Sequence, residues 1–165
     1  VELYTYYLSK VLAEEHEVSV FCRSQDFSLP FLTVTKDVVD SIQVTRVVNN
    51  VPYPDKFEMS YKNEGIDQVF KKFLVENRPD IIHFQHFIGL STGMVLVAQS
   101  LGIKTVITLH DFWILCPSVH LLTPRFTICN HDDGSRTCLA DYYLAHPKSV
   151  AFISAHVPNN WENNS

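Results

Sequence analysis

Histidines follow two short apolar runs of this chain, and their types and positions could support chemistry. His86 comes directly after residues 80–85, and His110 and Asp111 come directly after residues 104–109. Imidazole and carboxylate groups can accept or transfer protons near neutral pH, and both can bind a metal ion. The placement of these side chains, more than any motif string, indicates a functional site.

The two apolar runs are predicted to be neighbouring strands of a parallel sheet. One contains Ile-Ile-His-Phe and the other Thr-Val-Ile-Thr-Leu, without polar alternation, as is typical of parallel strands buried on both faces. Residues 90–101 between them have apolar positions at helical spacing, and Gly102 stands where a glycine ends a helix. Ligands bind at the carboxyl ends of the strands in such a unit. We therefore expect His86 and His110 to lie side by side at that edge.

The remaining segments continue an alternation of helices and strands, which is typical of an α/β fold. The predicted helices cover residues 1–15, 66–74 and 137–146, and the predicted strands cover residues 17–23, 41–48 and 149–154. Residues 24–36, which include Pro30, are predicted to form a loop with at most a short edge strand. Residues 49–63 and 112–133 are predicted to be long connections.

Composition and charge exclude several classes of protein. The 165 residues, 46% hydrophobic and 19% charged, suit one folded domain that buries roughly 70% of its unfolded surface. The net charge is -5 and no basic run exceeds Lys71-Lys72, so we predict no nucleic-acid partner. No apolar stretch reaches about 18 residues, and the first residues do not follow the pattern of a signal peptide. We predict a cytoplasmic protein, and peripheral membrane contact stays open.

Glycine and cysteine patterns match no common cofactor or metal motif. The five glycines form neither GxGxxG nor GxxxxGK[ST]. Gly89 and Gly93 flank a helix start whose amides could hold an anion, or they could serve helix entry and close packing. The residues that suggest a zinc site are Cys116, Cys129, Cys138, His120 and His131. The cysteine gaps of 13 and 9 residues match no short ligand spacing, so we predict neither a metal nor a disulfide.

Four segments resemble the N-terminal half of GT-B glycosyltransferases of family 4 (group 1). VELYTYYLSKVLAEEHEVSVFCR resembles the first helix and second strand of that family, with Glu15-His16 where a glycine-histidine pair is usual. PDIIHFQHFIGLS resembles its strand that ends in a histidine, and SVAFISAH resembles a later strand. TVITLHDFWILCPSVHLL resembles its TxHDxWxLCP segment, the most specific of these motifs. The resemblance covers nearly the whole chain.

The resemblance implies a Rossmann-like parallel sheet with helices on both faces and transfer of a sugar from a nucleotide-sugar donor. The acceptor would be a glycan, a lipid or a small molecule, and the reaction would retain the anomeric configuration without a metal or cofactor. The family's opening strand and Gly-rich loop would precede Val1, and its nucleotide-binding domain would follow Ser165. We therefore expect residues 1–165 to be a single acceptor-side domain, truncated at both ends and inactive alone.

The resemblance also assigns roles to individual residues. His110 would sit beside the transferred sugar and form a hydrogen bond as charge develops, and Asp111 would orient His110 or cap the following turn. The predicted acceptor-binding residues are His86, Phe87, Trp113, His120 and Arg125. Each of these residues has a simpler alternative role. His86 could be a core histidine with its hydrogen bonds satisfied, and the rings of Phe87 and Trp113 could pack in the core. His120 and Arg125 could be ordinary surface residues.

Two other functions remain open at this point. A metal-dependent hydrolase could use His86, His110, Asp111 and His120, although the chain lacks a close ligand pair such as HxH or HExxH. A non-catalytic Rossmann-like binding domain is the third possibility, and the test is whether the gene continues for another domain's length.

Overall fold

The computed structural model describes residues 1–50, 61–116, 120–122 and 127–129. The chain divides into two compact units, Val1–His110 and Asp111–Ser165. The predicted helix at 137–146 and the predicted strand at 149–154 lie outside the described residues. Within the described part of the chain, no helix has both the length and the apolar character needed to cross a membrane.

The helices and strands alternate along the first unit. The helices are α1 (Glu2–Leu12), α2 (Glu64–Asn77) and α3 (Gly93–Ser100). The strands are β1 (Ser19–Ser24), β2 (Val34–Val39), β3 (Ile42–Val48), β4 (Ile81–Phe84) and β5 (Lys104–Ile107). The sequence predicted all of these elements, although β2 was expected only as a short edge strand at most within residues 24–36, and the ends of the elements differ by a few residues.

The first sheet is mixed, with strand order β1-β3-β2. β1 runs parallel to β3, whereas β2 runs antiparallel to it, with Val39 opposite Ile42. The expectation of a purely parallel sheet was incomplete here, because residues 24–36 lead into an edge strand rather than a loop alone. Asp40 and Ser41 join β2 to β3 with φ angles of 47° and 69°, the left-handed geometry of a two-residue hairpin turn.

The second sheet is the predicted strand–helix–strand unit. β4 and β5 run parallel, with Phe84 opposite Ile107, and α3 connects them. Gly102 has φ +72° just after α3, as expected of a glycine that ends a helix. Burial of both faces was predicted, but Val106 and Ile107 are 49% and 46% exposed. Among the described residues each of these strands has a partner on one edge only, which leaves more of its surface open.

Helix α2 joins the two sheets through one hydrophobic core. An apolar stripe of α2 is buried at Ile66, Phe70, Phe73 and Leu74. Asn63 caps the first turn of this helix by accepting a hydrogen bond from the Ile66 amide at 3.2 Å. The ring of Phe70, only 2% exposed, lies 5.1 Å from that of Phe21 in β1 and 6.0 Å from that of Phe84 in β4. Both sheets therefore pack on the same helix.

Side chains at the carboxyl edge of the β4–β5 sheet contact two different helices. Phe84 points toward α2, and the next side chain, Gln85, points to the other face because successive strand residues alternate. Gln85 contacts His110, whose ring packs against Tyr4 of α1. The first unit therefore has a Rossmann-like α/β fold in which α2 packs on the β4–β5 sheet and α1 contacts a residue just past the end of β5.

Candidate functional site at the carboxyl ends of β4 and β5

His110 lies past the carboxyl end of β5, and neighbouring side chains hold its ring from two directions. Its Nε2 atom lies 2.8 Å from Oε1 of Gln85, which follows β4 directly. The ring of Tyr4 meets it edge-on, with the centroids 4.9 Å apart at an interplanar angle of 68°. Because an amide oxygen only accepts hydrogen bonds, Nε2 carries a proton, and Nδ1 is the acceptor in the neutral ring.

The contact between Gln85 and His110 follows from the strand register. β4 and β5 pair with a constant offset that places His83 opposite Val106, so positions 83 and 85 share a face with positions 106, 108 and 110. On that face His83 Nε2 lies 2.7 Å from Oγ1 of Thr108. His83 therefore has a structural partner within the sheet, and His110 lies farther along the same face at the carboxyl edge.

His86 also lies at this edge, but its ring has different partners. Nδ1 accepts hydrogen bonds from the backbone amides of Phe87 and Ile88, both at 2.9 Å. A neutral His86 therefore carries its proton on Nε2. The two histidines follow adjacent parallel strands, as predicted, and His86 also stabilises the turn that leaves β4. Its contact with acceptor hydroxyls stays a prediction.

Phe87 contributes to the core in the turn after β4. Its side chain is buried, and its ring centroid lies 5.2 Å from that of Phe84. Its carbonyl accepts a hydrogen bond from the Leu90 amide at 2.9 Å, which closes the turn. Core packing was the alternative role for this ring, and a contact between Phe87 and the acceptor stays a prediction.

In the second unit, Asp111 caps a turn. Its Oδ1 atom accepts a hydrogen bond from the Trp113 amide at 2.9 Å, and the Cys116 amide bonds to the carbonyl of Phe112 at 2.7 Å. This is the capping role that the sequence left open for Asp111. His120 is exposed. Arg125 lies outside the described residues, so its predicted contact with an acceptor stays a prediction.

Potential metal ligands do not cluster within residues 1–50, 61–116, 120–122 and 127–129. There, no three His, Cys, Asp or Glu residues come together in a way that could hold a metal ion. His131 and Cys138, two of the residues that suggested zinc, lie outside that part. Cys22 is half-buried, and burial raises the pKa of its thiol, so it is a poor source of thiolate.

Two contacts of the site were not anticipated from the sequence. Gln85 was treated as the end of a strand, although a polar residue next to a predicted site histidine was a usable signal. Tyr4 lies within the helix predicted for residues 1–15, and nothing in its local sequence indicates a contact with a residue 106 positions later. Both contacts depend on how separate elements pack.

The fold and the site define an α/β domain with polar side chains at the carboxyl edge of a parallel strand pair, where such domains bind ligands. The sequence model for the family described as Glycosyltransferase Family 4 matches residues 1–153, which is most of the chain. The chain therefore belongs to glycosyltransferase family 4. Comparison with the curated proteins and with the solved structures finds no match.

Proposed function

We propose that this chain is the acceptor-side domain of an enzyme that transfers a sugar from a nucleotide-sugar donor to an acceptor. Membership of glycosyltransferase family 4 supports the reaction class. The observation that carries the assignment of a site is the fixed imidazole of His110, held by Gln85 at the carboxyl edge of β4 and β5. A positioned polar group at this edge is what transfer to a bound acceptor needs.

His110 contributes by orientation in this proposal. Its Nε2 is committed to Gln85, and Nδ1 has no partner among the described residues. A sugar hydroxyl could donate a hydrogen bond to Nδ1 in the neutral ring, whereas a protonated ring could stabilise negative charge that develops on the leaving group. Because Gln85 and Tyr4 already hold the ring, little orientational freedom would be lost in the transition state.

The finer features of the proposal follow the family resemblance. They are retention at the anomeric carbon, independence from divalent metal, a donor nucleotide held mainly by a second domain, and location in the cytoplasm with peripheral membrane contact left open. The acceptor would be a glycan, a lipid or a small molecule. Domain closure would exclude water from the donor. Product stereochemistry from proton NMR, and the rate in the presence of a chelator, test the first two features.

The central test is His110→Ala in an enzyme that contains this chain together with a donor-binding domain. We expect turnover to fall roughly a hundredfold, the size of effect seen when one positioned polar group is lost. His83→Ala is the matched control, because it removes an imidazole from the same face at a position where the partner is structural. Steady-state kinetics measure the effect, and thermal unfolding checks that both variants fold. An unchanged kcat for His110→Ala would remove this residue from the mechanism.

A further inference from the structure

An arginine that no sequence motif distinguishes lies at the carboxyl edge of the other sheet. Arg23 is near the end of β1, and its Nε donates a hydrogen bond to the carbonyl of Asn49 at 3.1 Å. Asn49 directly follows β3, is only 8% exposed, and donates from Nδ2 to the carbonyl of Gly89 at 2.8 Å. These contacts bring the ends of β1 and β3 to the turn that follows β4.

The absence of a side chain at Gly89 leaves room for the side chain of Arg23. Its φ of +67° lies in the left-handed region, and a Cβ atom placed there would lie 2.3 Å from Cδ of Arg23 and 2.7 Å from its Nη1. Any residue other than glycine would therefore displace the guanidinium as well as strain the backbone. This turn also contains His86, so the arginine adjoins the candidate site through a shared loop.

The charge of Arg23 has no counterion within the described part of the chain. Only Arg23 and Arg46 are half-buried among the lysines and arginines described, and Arg46 pairs with Asp37 at 2.9 Å. No carboxylate among the described residues forms an ion pair with Arg23. The acidic residue that follows it most closely, Asp26, instead accepts hydrogen bonds from the backbone and side chain of Ser28.

A half-buried guanidinium without a counterion destabilises the fold unless a bound anion balances its charge. A guanidinium stays charged at any physiological pH, and partial burial without a counterion costs free energy. Beyond the bond to Asn49, four N–H groups of Arg23 have no partner among the described residues. Their planar fork matches the paired oxygens of a phosphate or carboxylate.

We propose that Arg23, set against Gly89 and held by Asn49, forms an oxyanion-binding site for a phosphate or carboxylate group of a ligand at the carboxyl edge. Anion binding does not depend on any transfer reaction. The assignment of the bound phosphate or carboxylate to the acceptor rests on the proposed function. If the acceptor carries this group, the acceptor of this enzyme is acidic.

The test is a titration of the full chain with inorganic phosphate and, separately, with acetate, at constant ionic strength. Proton–nitrogen NMR would follow the backbone amide signals of Asn49 and Ile88, which are present in the unaltered chain and in every variant. We expect saturable binding that Arg23→Gln weakens roughly tenfold or more, as for loss of a charged hydrogen-bonding partner. Arg46→Gln removes the same charge from the other half-buried arginine and should leave the affinity within about twofold. Tighter binding of phosphate than of acetate would indicate a phosphorylated ligand.

Two further variants keep the test decisive if Arg23→Gln fails to fold. Arg23→Lys keeps the charge but loses the planar fork, and Gly89→Ala keeps the arginine but displaces it, so both should bind the anion several-fold more weakly. The absence of saturable binding by the unaltered chain, or equal losses in the Arg23 and Arg46 variants, would overturn the site. Because the titration contains no sugar donor, its result is separate from the His110→Ala kinetics that test the transferase assignment.

Discussion

Strands β3 and β5 are similar in sequence but occupy different surroundings. Both are rich in β-branched residues. β3 lies between β1 and β2, and most of its residues are buried, whereas β5 pairs only with β4 among the described strands and stays largely exposed. A β-branched run therefore predicts a strand, but the number of neighbouring strands determines how much of it is buried.

The comparison separates the part of the domain that supplies stability from the part that carries the candidate chemistry. β3 and α2 contribute most of the buried apolar side chains. The β4–β5 sheet contributes fewer, and its carboxyl edge positions His86 and His110. Sites that bind ligands are commonly drawn from the less stable part of a protein.

A matched pair of valine substitutions gives the largest expected difference between the two strands. Val47→Ala in β3 removes a fully buried side chain and should lower the free energy of unfolding by about 2 kcal/mol. Val106→Ala in β5 removes a half-exposed one and should cost about 0.5 kcal/mol. Urea denaturation of both variants measures the two values. Equal losses would mean that β5 is covered in solution as completely as β3.

Gln85→Leu should have the next largest effect, at the edge of the β4–β5 sheet. Loss of one hydrogen bond of about 1 kcal/mol should lower turnover roughly fivefold, and the ring of His110 should become a mixture of tautomers. Thr108→Val is the control, because it removes a hydrogen bond to His83 and leaves the one to His110 intact. Nitrogen-15 shifts of the histidine rings report the tautomers. A His110 ring that keeps its proton on Nε2 in Gln85→Leu would show that the amide does not set its state.

Asp67→Asn should have the smallest effect on stability, and the size of that effect depends on pH. Asp67 lies on α2, where burial raises the pKa of its carboxyl and Ser91 lowers it to a smaller extent. Its buried Oδ1 has no hydrogen-bond partner among the described residues. A raised pKa means that the folded state binds more protons than the unfolded one, so stability is highest below an unfolded pKa of about 3.9 and falls as pH rises through the folded value.

The uncharged asparagine should remove this decline. The variant should therefore gain stability over the unaltered protein at pH 7, and the gain should shrink in acid. Free energies of unfolding measured at both ends of this range give the comparison. A gain that does not change with pH would mean that the charge of Asp67 is not the cause.

Local sequence patterns predicted most of the elements but not the contacts between them. The stripe on α2 and the strand–helix–strand unit were readable because periodicity and a terminal glycine are local signals. β2 was expected only as a short edge strand at most, because Lys36 and Asp37 interrupt its apolar residues and the hairpin turn contains no glycine.

The site was predictable in outline for a related reason. The rule that ligands bind at the carboxyl ends of parallel strands placed His110 at the correct edge. The contact of the His110 ring with Gln85 depends on the pairing register between β4 and β5, which cannot be read from the sequence. The same holds for Arg23, because Gly89, against which its side chain packs, lies 66 residues further along the chain.

The position of Phe70 determines how the first unit unfolds. Because this ring contacts an aromatic side chain from each sheet, separating either sheet from α2 exposes a large apolar surface that both share. The two sheets should therefore melt in one cooperative transition. Hydrogen exchange should show slow amides in β3, which exchange only through global unfolding, and faster amides in β5, where fraying at the open edge is enough.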